Sequence, residues 1–195
     1  MKSLKQKTMN KNYPRLFIGL DLAAKDKLAI AEWRDKYLRG LPDKPVPAEN
    51  LHITLSFLGQ VKPDKLEQLD QLLQHVEGRQ FHLSTTALGT FSKPQILYLG
   101  VELPQELQTL AQQCLSINSQ LGLPSHHGAY RPHITLTRKH KDMWPIIAEP
   151  PKIQMSFSQF HLFESVSSSE IGVSPHYPKR FSFDLAPNLK QTKSI

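Results

Sequence analysis

The tetrapeptide His-Ile-Thr-Leu stands at His52–Leu55 and again at His133–Leu136, and each copy lies in an apolar run that reads as a β-strand. An extended chain turns residues i and i+2 to one side. Each copy therefore presents an imidazole and a hydroxyl together on one face. The copies are 81 residues apart, too far for a solenoid repeat and suited to two lobes of one domain, each with its own helix and strands. A lone His-x-Thr on a strand is usually a side chain satisfied by its neighbours, but duplication reverses those odds. Two such strands facing one cleft bring together His52, Thr54, His133 and Thr135. Two imidazoles take and give a proton in one cycle near neutral pH, and hydroxyls donate hydrogen bonds to oxyanions. The set points to metal-free acid–base chemistry on a phosphate ester.

The rest of the chain supplies the elements that such lobes need. Leu16 to Leu20 alternate as a strand. Leu28, Ala31 and Tyr37, with Trp33 nearby, mark an amphipathic helix from Ala24 to about Tyr37. The proline-rich stretch 41–47 reads as a surface loop delivering the chain to the His52 strand, which stops near Gly59. Pro63 opens a second helix with Leu66, Leu69, Leu72, Leu73 and Val76 on its stripe, closed by Gly78. Strands follow over 81–88 and 95–102 around a turn at Lys93-Pro94. A third helix runs from Pro104 to about Asn118, a loop spans 122–128, and two or three strands lie between Lys152 and Leu185. This order implies an α+β fold, with antiparallel sheets lining a central cleft and helices outside, rather than a doubly wound parallel sheet. Residues 1–13 read as a flexible basic tail, 14–187 as a single two-lobed domain and 188–195 as a second tail.

Composition bounds the partners. The chain has 24 Lys and Arg against 17 Asp and Glu, a formal charge of +7, which favours an anionic partner such as nucleic acid. Lys2, Lys5, Lys7, Lys11, Lys190 and Lys193 crowd the two ends, and without them the balance falls to about +1, so charge alone argues weakly for an RNA groove. Cys114, the only cysteine, excludes an intramolecular disulfide, and its place among Leu107, Leu110, Ala111 and Leu115 makes it a buried small hydrophobe. No stretch approaches the ~20 apolar residues of a membrane span. A cytoplasmic protein is expected, and a monomer. Acidic and cysteine residues show no recognised ligand spacing and no Gly-rich phosphate loop occurs, so neither a metal nor another cofactor is expected.

The two motifs, Asn50-Leu51-His52-Ile53-Thr54-Leu55-Ser56-Phe57-Leu58-Gly59 and Tyr130-Arg131-Pro132-His133-Ile134-Thr135-Leu136-Thr137-Arg138, resemble the paired His-x-Thr-x signatures of the 2H phosphoesterase superfamily. The Phe-Leu-Gly after the first, the opening Arg15–Asp21 and the late Phe160–Ser165 are similar to its LigT-like branch of RNA 2′,3′-cyclic phosphodiesterases. The resemblance implies a two-lobed pseudo-twofold fold. It also implies that His52 donates a proton to the departing ribose oxygen, that His133 accepts one from water, and that a 2′-phosphomonoester results. Reversible 2′,5′ ligation is a further implied possibility. Thr54 and Thr135 would bind the non-bridging oxygens. Arg138 would pair with the phosphate, although i+5 on a regular strand faces away from His133 unless the strand ends or bulges first. Phe17 and Tyr130 are candidates for stacking on the terminal base. His126 and His127 read as an exposed loop pair. The implied partner is an RNA with a 2′,3′-cyclic phosphate end, or a cyclic nucleotide. The alternative is a nucleotide- or RNA-binding module on the same fold without chemistry.

Overall fold

The computed structural model describes residues 13–124, 128–141, 148–167 and 174–188. The expected amino-terminal tail up to residue 12, the carboxy-terminal stretch from 189, and His126 and His127 lie outside the described residues. The elements are β1 Arg15–Asp21, α1 Ala24–Tyr37, β2 Lys44–Pro45, β3 His52–Gln60, α2 Leu66–Gln74, β4 Phe81–Phe91, β5 Ile96–Val101, α3 Gln105–Gln120, β6 His133–Arg138, β7 Gln154–Phe157, β8 Gln159–Glu164 and β9 Lys179–Asp184. Short 3-10 turns at Ala48–Asn50 and Pro63–Lys65 precede β3 and α2.

The strands form one nine-stranded sheet in the order β7-β4-β5-β6-β3-β1-β8-β9, with β2 joined to β6. All pairings between these strands are antiparallel. The fold is thus α+β, as expected. The sheet divides at its middle into two four-stranded halves, β3-β1-β8-β9 and β6-β5-β4-β7, which meet through a single pair of residues, Ile53 and Ile134. Connectivity follows the same plan on both sides: β1 leads through α1 to β3, and β5 leads through α3 to β6. The repeated tetrapeptide begins the inner strand of each half.

One core lies beneath the sheet. Ile18, Leu20, Ile53, Leu55, Leu97, Leu99, Ile134 and Leu136 meet Ile30 of α1, Leu69 and Leu73 of α2, and Leu107, Leu110, Cys114 and Ile117 of α3. Burying a leucine-sized side chain is worth roughly 1.5–3 kcal/mol. Cys114 is fully buried, as its position on the α3 stripe predicts, and burial raises its thiol pKa, leaving it a hydrophobe.

The structure corrects several local expectations. Leu16 to Leu20 do not alternate between core and solvent; all five lie buried because β1 is an inner strand. Leu28 and Tyr37 are exposed, whereas α1 turns Ile30, Ala31 and Arg34 inward. Arg34 is buried because its guanidinium donates to the Val46 carbonyl. The 41–47 stretch is not wholly loop, since Lys44 and Pro45 pair with Arg138 and Thr137 of β6. The second helix starts after a 3-10 turn and ends at Gln74, leaving Leu66 partly exposed and Val76 beyond its end. β4 extends to Phe91, three residues past the expected end.

Candidate active site

β3 and β6 carry the same burial sequence. His52 and Thr54 are half-buried and Ile53 and Leu55 buried; His133, Thr135, Ile134 and Leu136 repeat this. Since Ile53 pairs with Ile134, the antiparallel register sets His52 across from Thr135 and His133 across from Thr54. The four polar side chains share the face opposite the core. The two histidine positions are diagonal neighbours across the one shared pair, close enough for His133 to add to the lowering of the His52 pKa.

Both strands then bulge at the same place. Along β1 the partners step from Thr54–Gly19 to Ser56–Ile18, and along β5 from Thr135–Tyr98 to Thr137–Leu97, so Leu55 and Leu136 are each the extra residue. A bulge turns two successive side chains to one side. Leu55 with Ser56, and Leu136 with Thr137, point into the protein, and Phe57 and Arg138 return to the outer face. The bulge removes the geometric objection to Arg138 as a phosphate ligand. Gly19 serves the approach of these strands, because a Cβ there would sit 2.8 Å from the Ile53 carbonyl.

Each imidazole is held in one tautomer. His52 Nδ1 donates to the Asn50 carbonyl at 2.6 Å and His133 Nδ1 to the Arg131 carbonyl at 2.7 Å. A carbonyl only accepts, so Nδ1 carries the proton in both rings and each Nε2 is left for chemistry. The Thr54 hydroxyl lies 3.1 Å from His52 Nε2 and donates to it, while the Thr135 hydroxyl has no such bond among the described residues. Burial pushes the His52 pKa down to about 4, against the pull of the Asn50 carbonyl and with help from Arg138, His133 and Lys27. Burial also lowers the His133 pKa, opposed by the Arg131 carbonyl and aided by Arg138. Both rings are neutral at pH 7 before an anion arrives, and a phosphate between them raises both.

The surroundings of the two rings differ. His52 packs against Phe17 at 4.8 Å between ring centres and meets Tyr177 edge-on at 5.3 Å, with Phe163 stacked on Phe17 behind. A cavity of about 550 Å³ opens beside it, lined among others by Arg15, Phe17, Phe57, Arg138 and Tyr177. His133 packs against Tyr98 at 5.1 Å and Phe91 at 5.2 Å and does not line that cavity.

The structure brings His52, Thr54, His133, Thr135 and Arg138 to one face. Phe17 is almost fully buried and forms the wall behind His52. Tyr130 is drawn away from stacking: its hydroxyl donates to the Thr54 carbonyl at 3.0 Å and its ring packs on the core, which raises its pKa. It holds the motif strand instead. Sequence reasoning missed Tyr177, Phe57, Phe163, Phe91 and Tyr98 as site residues. Phe57 alone was within reach, because it occupies the position in the first motif that Arg138 occupies in the second. Among the described residues no group of three His, Cys, Asp or Glu side chains is placed to share a metal ion.

Residues 21–167 match the family model described as the 2′-5′ RNA ligase superfamily. The chain is 30% identical to an RNA 2′,3′-cyclic phosphodiesterase of Escherichia coli over 154 residues, covering 77% of this chain and 86% of the relative. It is also 30% identical to one of Thermotoga maritima over 167 residues, with the same shares covered. The crystal structure of E. coli LigT complexed with 3′-AMP superimposes with a TM-score of 0.80 at 28% identity, over 88% of this chain and 98% of that one.

Proposed function

The chain belongs to the 2′-5′ RNA ligase superfamily, the 2H phosphoesterases, and from that premise we propose that it hydrolyses RNA 2′,3′-cyclic phosphate ends using His52 and His133. The observation that carries this reading is the placement of two Nε2 atoms on one face, each in a ring whose Nδ1–H is tied to a carbonyl two residues back. A binding module has no use for paired proton carriers held so.

In the proposed reaction water attacks phosphorus and gives its proton to His133 Nε2. The bond from phosphorus to the ribose 3′-oxygen breaks, and His52 Nε2–H protonates that oxygen. The product is a 2′-phosphomonoester with a free 3′-hydroxyl. The local chemistry of the motifs is symmetric, but their surroundings favour this direction. The leaving oxygen stays attached to a nucleoside, which needs room on the side of the acid, and the large cavity lies beside His52. Water needs little room beside His133. Thr54 and Thr135 donate to the non-bridging oxygens and Arg138 offsets the phosphate charge. Docking of the anion raises the pKa of both rings, so the pair gains a proton as the substrate binds, and the proposed direction has that proton on His52 when water attacks. A 5′-hydroxyl in place of water would leave a 2′,5′ linkage through the same two proton transfers.

The reading takes residues 14–187 as one domain acting as a cytoplasmic monomer on an RNA end or a cyclic nucleotide. Among the described residues no helix is long and apolar enough to cross a membrane. The decisive test is purified protein with an oligonucleotide ending in a 2′,3′-cyclic phosphate, in EDTA. Turnover to a 2′-phosphate end is expected. Tight binding without turnover would instead identify a binding module, and turnover lost to EDTA would identify a metal requirement.

A further inference from the structure

The two hydroxyl side chains that the bulges turn inward, Ser56 and Thr137, are each gripped by a buried polar residue from the other half of the sequence. In β6 the Thr137 hydroxyl donates to Asp43 Oδ2 at 2.8 Å, and the same oxygen accepts from His140 Nδ1 at 2.6 Å. The Asp43 and His140 side chains are each 2% exposed, and Asp43 Oδ1 is buried without a partner among the described residues. In β3 the Ser56 hydroxyl donates to Asn118 Oδ1 at 2.8 Å, and Asn118 Nδ2 donates to the Phe57 and Pro124 carbonyls at 2.8 and 2.9 Å. Asp43 precedes the first motif in the chain and holds the strand of the second. Asn118 precedes the second motif and holds the strand of the first.

We infer that Asp43, with Thr137 and His140, is a positioning device for Arg138, setting the guanidinium on the cleft face at phosphate distance. Arg138 lies between two anchored residues. Thr137 on one side is bonded to Asp43. On the other, Lys139 takes φ 60°, a left-handed conformation, and His140 is buried with its ring on Asp43 and its amide on the Gln95 carbonyl at 3.1 Å. The backbone of β2 completes the clamp, since Lys44, next to Asp43, pairs directly with Arg138. A buried carboxylate with one orphan oxygen is a poor source of stability. Its use is specificity: it fixes the strand end after a bulge, where the regular ladder gives out. The Asn118 bond to the Phe57 carbonyl repeats the device at the equivalent position of β3.

The inference rests on the reading of Arg138 as a phosphate ligand, and a kinetic cycle separates the two. Steady-state turnover of the 2′,3′-cyclic oligonucleotide is measured for the full chain, Asp43→Ala, Arg138→Ala and the double variant, with thermal unfolding of each. Loss of one charged hydrogen-bonding group from a phosphate site costs roughly 10–100-fold in kcat/KM, expected for Arg138→Ala. Asp43→Ala should cost about tenfold, mainly in KM, and less than about twofold once Arg138 is gone. Equal losses in both backgrounds, or no loss in the first, would overturn the anchor alone. No loss for Arg138→Ala would overturn the phosphate reading and the anchor with it. Should Asp43→Ala fold poorly, Thr137→Val completes the same cycle by removing one hydroxyl at constant shape.

Discussion

The two motif strands share four residues, a bulge and the order of buried and half-buried positions, but they end differently: β3 presents Phe57 where β6 presents Arg138. Their walls differ as well. His52 is backed by Phe17, Phe163 and Tyr177 and opens onto a large cavity, while His133 is edged by Phe91 and Tyr98. What is duplicated is the hardware that any proton carrier needs, a ring with one nitrogen tied to a carbonyl beside a hydroxyl. In the proposed reaction, what is not duplicated decides direction and selectivity: the half that would receive a nucleoside needs apolar area, and the half that would receive water does not.

The sharpest way to break this comparison is to remove the carriers one at a time. His52→Ala and His133→Ala are each expected to lower kcat/KM by about two orders of magnitude or more. The halves separate on a second substrate, a phosphodiester with a nitrophenyl leaving group that departs without a proton. His52→Ala should recover most of its activity on it and His133→Ala should not. Equal recovery by both would remove the distinction between an acid half and a base half. Thr54→Ala and Thr135→Ala follow at up to about 10²-fold, the range of a lost oxyanion donor. The Thr54 change should be the larger, because its hydroxyl also contacts His52 Nε2.

A smaller effect is read from pH. In the proposed mechanism the active form carries one proton on the pair, and both ring pKa values lie below the ordinary 6.5, that of His52 near 4. The optimum of kcat/KM, which reports the free enzyme, should therefore fall on the acid side of pH 6.5, with about a tenfold decline per unit well above it. The optimum of kcat should lie higher, since bound phosphate raises both values. Stability follows with a definite sign. The unfolded chain takes up protons near pH 6.5 while folded His52 and His161 resist until about 4, so the melting temperature should fall as pH drops through that interval and be flat from there up to about pH 8, where the unfolded thiol of the buried Cys114 begins to ionise. A melting temperature rising over that interval would contradict the buried neutral state of these rings.

Much of this was legible in the sequence because it depends on local pattern. The motif strands, the three helices and the burial of Cys114 follow from periods of two and 3.6 residues. Two kinds of feature escaped. Neither bulged residue is a glycine or proline: Leu55 and Leu136 look like ordinary strand residues, and the shifts show only in the pairing with the neighbouring strands. Features set by sheet order escaped as well. Phe163 meets His52 because β8 lies beside β1 rather than beside its sequence neighbour β7. Arg34 misleads in the same way, a charged residue turned into the core by one carbonyl, with Leu28 left outside.

The mildest prediction tests the walls themselves. Phe57 is half-exposed and lines the cavity, and Tyr177 lines it too with its ring edge-on to His52, so each offers a ring to a base, and stacking is worth roughly 1–3 kcal/mol per base. Partial overlap and competing water place Phe57→Ala and Tyr177→Ala near the low end, about a five- to tenfold rise in KM for a nucleotide substrate with kcat nearly unchanged. Phe91→Ala, on the other side, trims a ring that touches His133 and Tyr98 but not the cavity. It should act on kcat through the seating of His133 and leave KM within about twofold. If Phe91→Ala raises KM as much as Tyr177→Ala does, the base lies between the two walls rather than against one. The assignment of the nucleoside to the half that carries His52 would then fall, although the two proton carriers would stand.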